Sequence, residues 1–243
     1  MSNLIDEQTT LLKHRERIQK NKFLHQLYTD FYRRMVSVPH PPGIIVELGS
    51  GAGFLKEILP SVITSDVVEG TEIDKVFSAT AMPFADKSVA AFLLYDVFHH
   101  IKDPEMALRE MARTLKSGGK IVMIEPYNSV WGRFVYQHFH HESFDPSAQS
   151  WIINGEGRLS DANGAMPWII FVRDRNLFEK KFSNLKIVEV MPHTPLAYLC
   201  SGGLSKPQLL PGFCYPLVKA GERLLWPFRS WIGMFVTVVL ERD

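Results

Sequence analysis

Ile44-Ile45-Val46-Glu47-Leu48-Gly49-Ser50-Gly51-Ala52-Gly53-Phe54-Leu55 is the stretch whose reading decides the fold. A β-branched run ends in an acid, three glycines follow at alternate positions, and Phe54-Leu55-Lys56-Glu57-Ile58-Leu59 resumes with helix-compatible spacing. The pattern predicts a strand over 44–48, a tight turn, and a helix over 53–59. Glycine admits positive φ at such a turn and, having no Cβ, lets a ligand come close to the backbone. The spacing is G-x-G-x-G, with Phe54 standing where the dinucleotide fingerprint G-x-G-x-x-G has its third glycine. A carboxylate at Glu47 also fits a pyrophosphate poorly and suits a cationic or amine-bearing ligand better.

Downstream of this turn, strand and helix patterns alternate, which predicts a parallel sheet covered on both faces. Strands are expected near 62–66, 75–78, 89–95 and 120–125, with an amphipathic helix over 104–116 that Ser117-Gly118-Gly119 closes as a glycine cap. Asp66, nineteen residues after Glu47, ends the second strand, where an acid can accept hydrogen bonds from ribose hydroxyls. Upstream, Leu11, Ile18, Leu24, Leu27, Tyr28, Phe31, Tyr32 and Met35 recur as one face of a single long helix, stopped by Pro39, Pro41, Pro42 and Gly43. Its other face is basic, through Lys13, Arg15, Arg17, Lys20, Lys22, Arg33 and Arg34, and is read as a solvated face rather than a membrane-surface helix.

About fifty residues follow Glu125-Pro126 before the pattern resumes. They mix His138, His140, His141, Glu142 and Asp145 with Trp131, Phe144 and Trp151, which reads as an acceptor-binding lid. The histidines lack a defined ligand spacing, so no metal is expected. A helix over 177–182 and strands over 185–191 and 234–240 complete the chain. The apolar connection between those strands, from Leu196 to Phe228, is read as a cover for the sheet.

Taken together, Glu47-x-Gly49-x-Gly51-x-Gly53, Asp66, Met82-Pro83-Phe84-x-Asp86-x-Ser88, Asp96-x-x-His99-His100-x-x-Asp103-Pro104 and Leu115-Lys116-Ser117-Gly118-Gly119 resemble the motifs of class I S-adenosylmethionine-dependent methyltransferases of type 11. The resemblance implies a Rossmann-like, seven-stranded, mostly parallel sheet of order 3-2-1-4-5-7-6 with helices on both faces. It divides a single domain into a helical cap (1–42), a cofactor-binding core (44–126), an insertion or lid (127–175) and a C-terminal part with strands six and seven (176–243). S-adenosylmethionine is the implied cofactor and S-adenosylhomocysteine its product. The implied cofactor residues are Glu47, Gly49, Ser50, Gly51, Gly53, Asp66, Val67, Ser78, Ala79, Thr80, Tyr95 and Asp96. Ser78-Ala79 stands where the family usually has Asp-Ala, so the adenine amine is left to Ser78 Oγ or a carbonyl near Thr80. His99, His100, His140 and His141 are the candidate bases for an in-line displacement at the sulfonium methyl. One of the adjacent pair His99-His100 is expected to be structural, because neighbours point in different directions.

Composition sets the remaining bounds. With 27 Lys+Arg against 26 Asp+Glu, no global charge draws the chain to nucleic acid. Two cysteines, Cys200 and Cys214, offer no metal framework and suit a reducing compartment. The N-terminal residues lack a secretory pattern, and a cytoplasmic protein is expected. The basic helix and the apolar C-terminal connection point to peripheral membrane contact and to a small-molecule, saccharide or lipid-linked acceptor. The rival readings are a nicotinamide-dependent oxidoreductase, disfavoured by Glu47 and the missing third glycine, and a catalytically silent cofactor-binding assembly subunit.

Overall fold

The structure is a computed structural model that describes residues 2–140, 142–153 and 161–243, with side chains from Gln8 onward. The N-terminal segment forms two helices, α1 (Ser2–Lys20) and α2 (Lys22–Val36), where the periodicity predicts one. The break is Asn21, an extended residue whose side-chain oxygen accepts from Leu24 N–H at 2.9 Å and caps α2. Its amide nitrogen donates to Ser201 O at 2.8 Å, which ties the break to the C-terminal part. The apolar repeat runs unchanged through this point, so only the short polar side chain marks it.

The glycine turn follows β1 (Ile44–Leu48), and the helix after it, α3 (Leu55–Ile58), is a single turn rather than the predicted 53–59. Then come β2 (Ile63–Asp66), β3 (Lys75–Val76), β4 (Val89–Tyr95), α4 (Pro104–Thr114) and β5 (Leu115–Pro126). Asp103 caps α4 by accepting from Met106 N–H, with Pro104 in the first turn. The helix ends at Thr114 and not at the expected glycine cap, since Leu115 is already extended and paired with Val89. Ser117-Gly118-Gly119 instead forms a bulge in β5: Val89 pairs Leu115 while Ala91 pairs Lys120, and Gly118 takes φ +73°.

The segment after β5 is largely helical. It contains α5 (Val130–Phe139), α6 (Met166–Trp168), a π-helical turn over Ile169–Arg173, and α7 (Arg175–Lys181). β6 (Leu185–His193), α8 (Ala197–Ser201), α9 (Tyr215–Leu224), α10 (Arg229–Ile232) and β7 (Phe235–Arg242) complete the chain. The seven strands form one sheet of order β3-β2-β1-β4-β5-β7-β6. β1 to β5 pair in parallel, and β7 runs antiparallel to both β5 and β6. The expected fold class and strand order are thus present.

Helices pack around this sheet. α2 buries Phe23, Leu24, Leu27, Tyr28, Phe31, Tyr32 and Met35, so its apolar face is spent on the core and is not free to meet a membrane. Among the described residues no helix is long and apolar enough to cross one.

Asn21→Ala removes both the cap and the buried bond to Ser201. We expect a loss of about 1–2 kcal/mol in urea unfolding. A change below about 0.3 kcal/mol would show that α1 and α2 do not depend on this cap.

Candidate active site

The carboxyl ends of β1, β2 and β4 open onto a cavity of about 890 Å³. Every residue expected to hold the cofactor lies on its wall: Glu47, Gly49, Ser50, Gly51, Gly53, Asp66, Val67, Ser78, Ala79, Thr80, Tyr95 and Asp96. Three strand ends meet there because parallel strands leave their termini at one sheet edge, at the point where the order turns from β1-β2 to β1-β4.

The three glycines serve different ends. Gly49 has φ +66°, and a Cβ there would lie 2.5 Å from Val97. Gly53 has ordinary φ, but its Cβ would fall 2.3 Å from the Tyr32 hydroxyl and 2.9 Å from Ser50 O. Gly51 has φ +47° and meets nothing closer than 3.6 Å, so the space before it belongs to the cavity. Two glycines pack the turn, and the middle one leaves room for a ligand.

Asp66 accepts from Gly51 N–H through Oδ2 (2.9 Å) and from Val68 N–H through Oδ1 (3.1 Å). Burial pushes its carboxyl up, opposed by these backbone donors. A carboxylate has about four acceptor positions, so lone pairs on both oxygens stay open to further donors. Glu47 is 3% exposed, and its Oε2 has no hydrogen-bond partner. Burial, only partly offset by the Ser50 hydroxyl, pushes its carboxyl up to about 7. Tyr95, also buried, lies on the same wall. Ser78, whose hydroxyl bonds that of Thr80 at 2.8 Å, sits exposed on the opposite lip of β2 and β3.

Asp96 leaves β4 with φ +58°, a left-handed conformation that a non-glycine residue adopts at a cost. Its neighbours explain the turn. Glu125, at the end of β5 and fully buried, accepts from Val97 N–H (2.9 Å) and Phe98 N–H (2.8 Å) with one oxygen, and bonds His99 Nδ1 (2.6 Å) with the other. His99 Nε2 lies 3.3 Å from Glu142 Oε2, and His100 Nε2 lies 3.5 Å from Glu142 Oε1. Burial opposes charge on His99, yet Glu125, Glu142 and Asp96 together hold its pKa well above the ordinary value. His100, desolvated and facing that imidazolium, is pushed down to about 4.

The adjacent histidines lie in different surroundings. His99 is wholly buried and off the cavity wall, a positioning group, while His100 lines the cavity. His140 is off the wall too, and its Nδ1 accepts from Glu142 N–H at 3.3 Å. His141 lies outside the described residues. The lid expected between Trp131 and Trp151 contributes Glu142 alone to the wall among the described residues, whereas Asp145 bonds Ser147 and Trp151 bonds Asp174.

His99, His100 and Glu142 present ligand atoms within 4.8 Å of one another, and the protonated His99 already supplies positive charge there. The sequence reading did not single out Glu125 as a site residue, although an acid closing a parallel strand is the same signal that marks Glu47 and Asp66. It expected the helical cap over the site but named no residue of it there; Leu11, His14 and Ile18 of α1 and Tyr28 and Tyr32 of α2 roof the cavity.

The charge states can be checked by histidine NMR titration. His99 should stay imidazolium well above the ordinary histidine range and His100 neutral down to about pH 5, and Glu125→Gln should lower the first. A His99 that titrates near 6.5 would remove the positioning role.

Comparison with known proteins fits this geometry. Residues 46–123 match a family model described as a methyltransferase domain. A stretch of 102 residues is 31% identical to a demethylmenaquinone methyltransferase of Renibacterium salmoninarum, covering 37% of this chain and 43% of that one. The chain spans less than half the length of the curated relatives it matches. Among solved structures, one described as a SAM-dependent methyltransferase, possible histamine N-methyltransferase, from Thermotoga maritima superposes with a TM-score of 0.56 at 18% identity, over 94% of each chain. Geranyl diphosphate C-methyltransferase from Streptomyces coelicolor A3(2) gives 0.52 at 14% identity, over 95% of this chain and 83% of that one. At such identities the structures speak for the fold alone. The match over residues 46–123, set on the strand order β3-β2-β1-β4-β5-β7-β6, supports a methyltransferase domain of the class I, S-adenosylmethionine-dependent type.

Proposed function

We propose that the protein transfers the methyl group of S-adenosylmethionine to a small-molecule, saccharide or lipid-linked acceptor. The observation that supports this most is Glu47: a buried carboxylate with one unpartnered oxygen, set under a glycine turn that leaves open space at Gly51. Such an oxygen calls for a cationic donor, and a free ammonium group meets that need where a pyrophosphate does not. On this reading Glu47 holds the amino group, Gly51 and Ser50 bear the amino-acid chain, Asp66 takes the ribose hydroxyls and Ser78 or the Thr80 backbone meets the adenine. A bound sulfonium supplies the electrophilic methyl carbon.

The protein's part is binding, exclusion of water and handling of a proton. Leu11, Ile18, Tyr28 and Tyr32 roof the cavity and keep bulk water from it. The acids at the strand ends favour a positively charged ligand over its neutral-sulfur product, which helps the product leave. His100 is neutral at pH 7, and its Nε2 faces Glu142 Oε1 at 3.5 Å. On this reading it takes the proton of a hydroxyl acceptor, with Glu142 offsetting the His99 charge that opposes the imidazolium.

Calorimetry with S-adenosylhomocysteine tests the binding half. Affinity should fall by up to roughly tenfold per pH unit below about pH 7 as Glu47 takes a proton. Glu47→Gln should bind more weakly and without that pH dependence. Tighter binding of NAD than of S-adenosylhomocysteine by the wild type would sink the reading.

His100→Gln tests the chemical half, with labelled S-adenosylmethionine and a fractionated cell extract as acceptor source. Turnover should drop by about 10²-fold while affinity for S-adenosylhomocysteine stays within about twofold. Undiminished turnover would take His100 out of the chemistry.

A further inference from the structure

The apolar connection between β6 and β7 does not all cover the sheet. Tyr198 packs on Phe235 at 5.1 Å and Tyr215 is buried, in keeping with a cover. Beyond them the pattern inverts: Phe213 is 80% exposed, Leu217 73%, Leu224 81% and Trp231 66%, with Leu209, Trp226 and Phe228 exposed beside them. These residues come from consecutive elements in contact, and α10 also packs on α5, which adds exposed Val130, Phe134 and Phe139. So much large apolar surface on short helices is costly to leave in water and marks an interaction face.

Charge says what kind of face it is. The chain as a whole is balanced, with 27 basic against 26 acidic residues. From Ser205 to Ile232 the only acid is Glu222, and it is turned inward, accepting from Leu196 N–H and Ala197 N–H and pairing with Lys219. Lys206, Arg223, Arg229 and, from α5, Arg133 stand in or beside this face with no carboxylate partner among the described residues. The Arg229 guanidinium lies 4.7 Å over the Trp226 ring. Apolar ridges, two tryptophans and cations of a single sign are what the interface of an anionic bilayer selects, since apolar side chains enter the acyl boundary while Lys and Arg meet headgroups. A protein partner's contact surface would be expected to be poorer in lysine and mixed in charge.

We propose that the surface formed by residues 209–231 together with α5 docks on an anionic lipid bilayer. The inference stands independently of methyl transfer. It has a consequence for the site all the same: Leu204 lies on the cavity wall and Leu209 on the docking ridge, so only a short stretch of chain separates the cavity from the lipid. This ridge, and not α2 with its apolar face packed on the core, is the proposed source of membrane contact.

Sedimentation with vesicles of phosphatidylcholine, and of phosphatidylcholine with about 30 mol % phosphatidylglycerol, tests it. The full chain should bind the anionic vesicles, bind the neutral ones far less, and dissociate as salt rises. Arg223→Glu and Arg229→Glu should each lower partitioning at least about fivefold, and Leu217→Glu with Leu224→Glu should abolish it. All four positions face solvent at least in part, and unchanged thermal unfolding and S-adenosylhomocysteine affinity serve as the folding control. Failure of the wild type to bind anionic vesicles would overturn the proposal. So would a dimer in gel filtration that Leu224→Glu splits, since a second copy would then be the occupant.

Discussion

Four acids sit at the ends of four neighbouring parallel strands, and most of the site follows from placing them there. Glu47 ends β1, Asp66 ends β2, Asp96 leaves β4 and Glu125 ends β5. A parallel sheet gathers its carboxyl termini at one edge, so Glu47, Asp66 and Asp96, far apart in sequence, share one cavity, with Glu125 buried behind Asp96. Burial raises the proton affinity of Glu47, Asp66 and Asp96, and each of the four needs compensation. Backbone N–H groups supply it for Asp66, and the imidazolium of His99 supplies it for Glu125. Glu47 has an oxygen without a hydrogen-bond partner, the atom to which the proposed function assigns the ligand's ammonium group.

The Glu125–His99 pair is the fixed end of this arrangement. It holds the Val97 and Phe98 amides, and so the left-handed turn at Asp96, and the charge on His99 adds to the burial that keeps His100 neutral. The chain is further tied down here by Asn163 N–H to His99 O and Ile153 N–H to Lys102 O, which dock the post-β5 segment against the site. The roof is held differently. α1 lays Leu11, His14 and Ile18 over the cavity but leaves Leu12 exposed, so this helix is far less buried than α2.

What was legible in the sequence, and what was not, follows the range of the physical signal. The glycine turn and Asp66 could be read locally, because positive φ, close approach and a strand-terminal acid are properties of a few adjacent residues. The strand order came through the family resemblance, as local pattern fixes strands but not their neighbours. The break at Asn21 was hidden by an apolar repeat that carries on through it, and the bulge at Gly118 looked like a helix cap because glycine serves both. Glu142 was seen within a His-rich cluster, yet its partners are His99 and His100, brought to it only by the fold. The exposure of Phe213, Leu217 and Leu224 runs against the default that apolar residues are buried, and no local pattern announces it.

The most direct test of the central claim is a crystal structure of the protein with S-adenosylhomocysteine. The ligand's ammonium nitrogen should lie about 3 Å from Glu47 Oε2 and its ribose hydroxyls on Asp66, with the amino-acid chain passing in front of Gly51. A nucleoside bound in the reverse sense, or an ammonium group paired with Asp96 while Glu47 stays without a partner, would contradict the account.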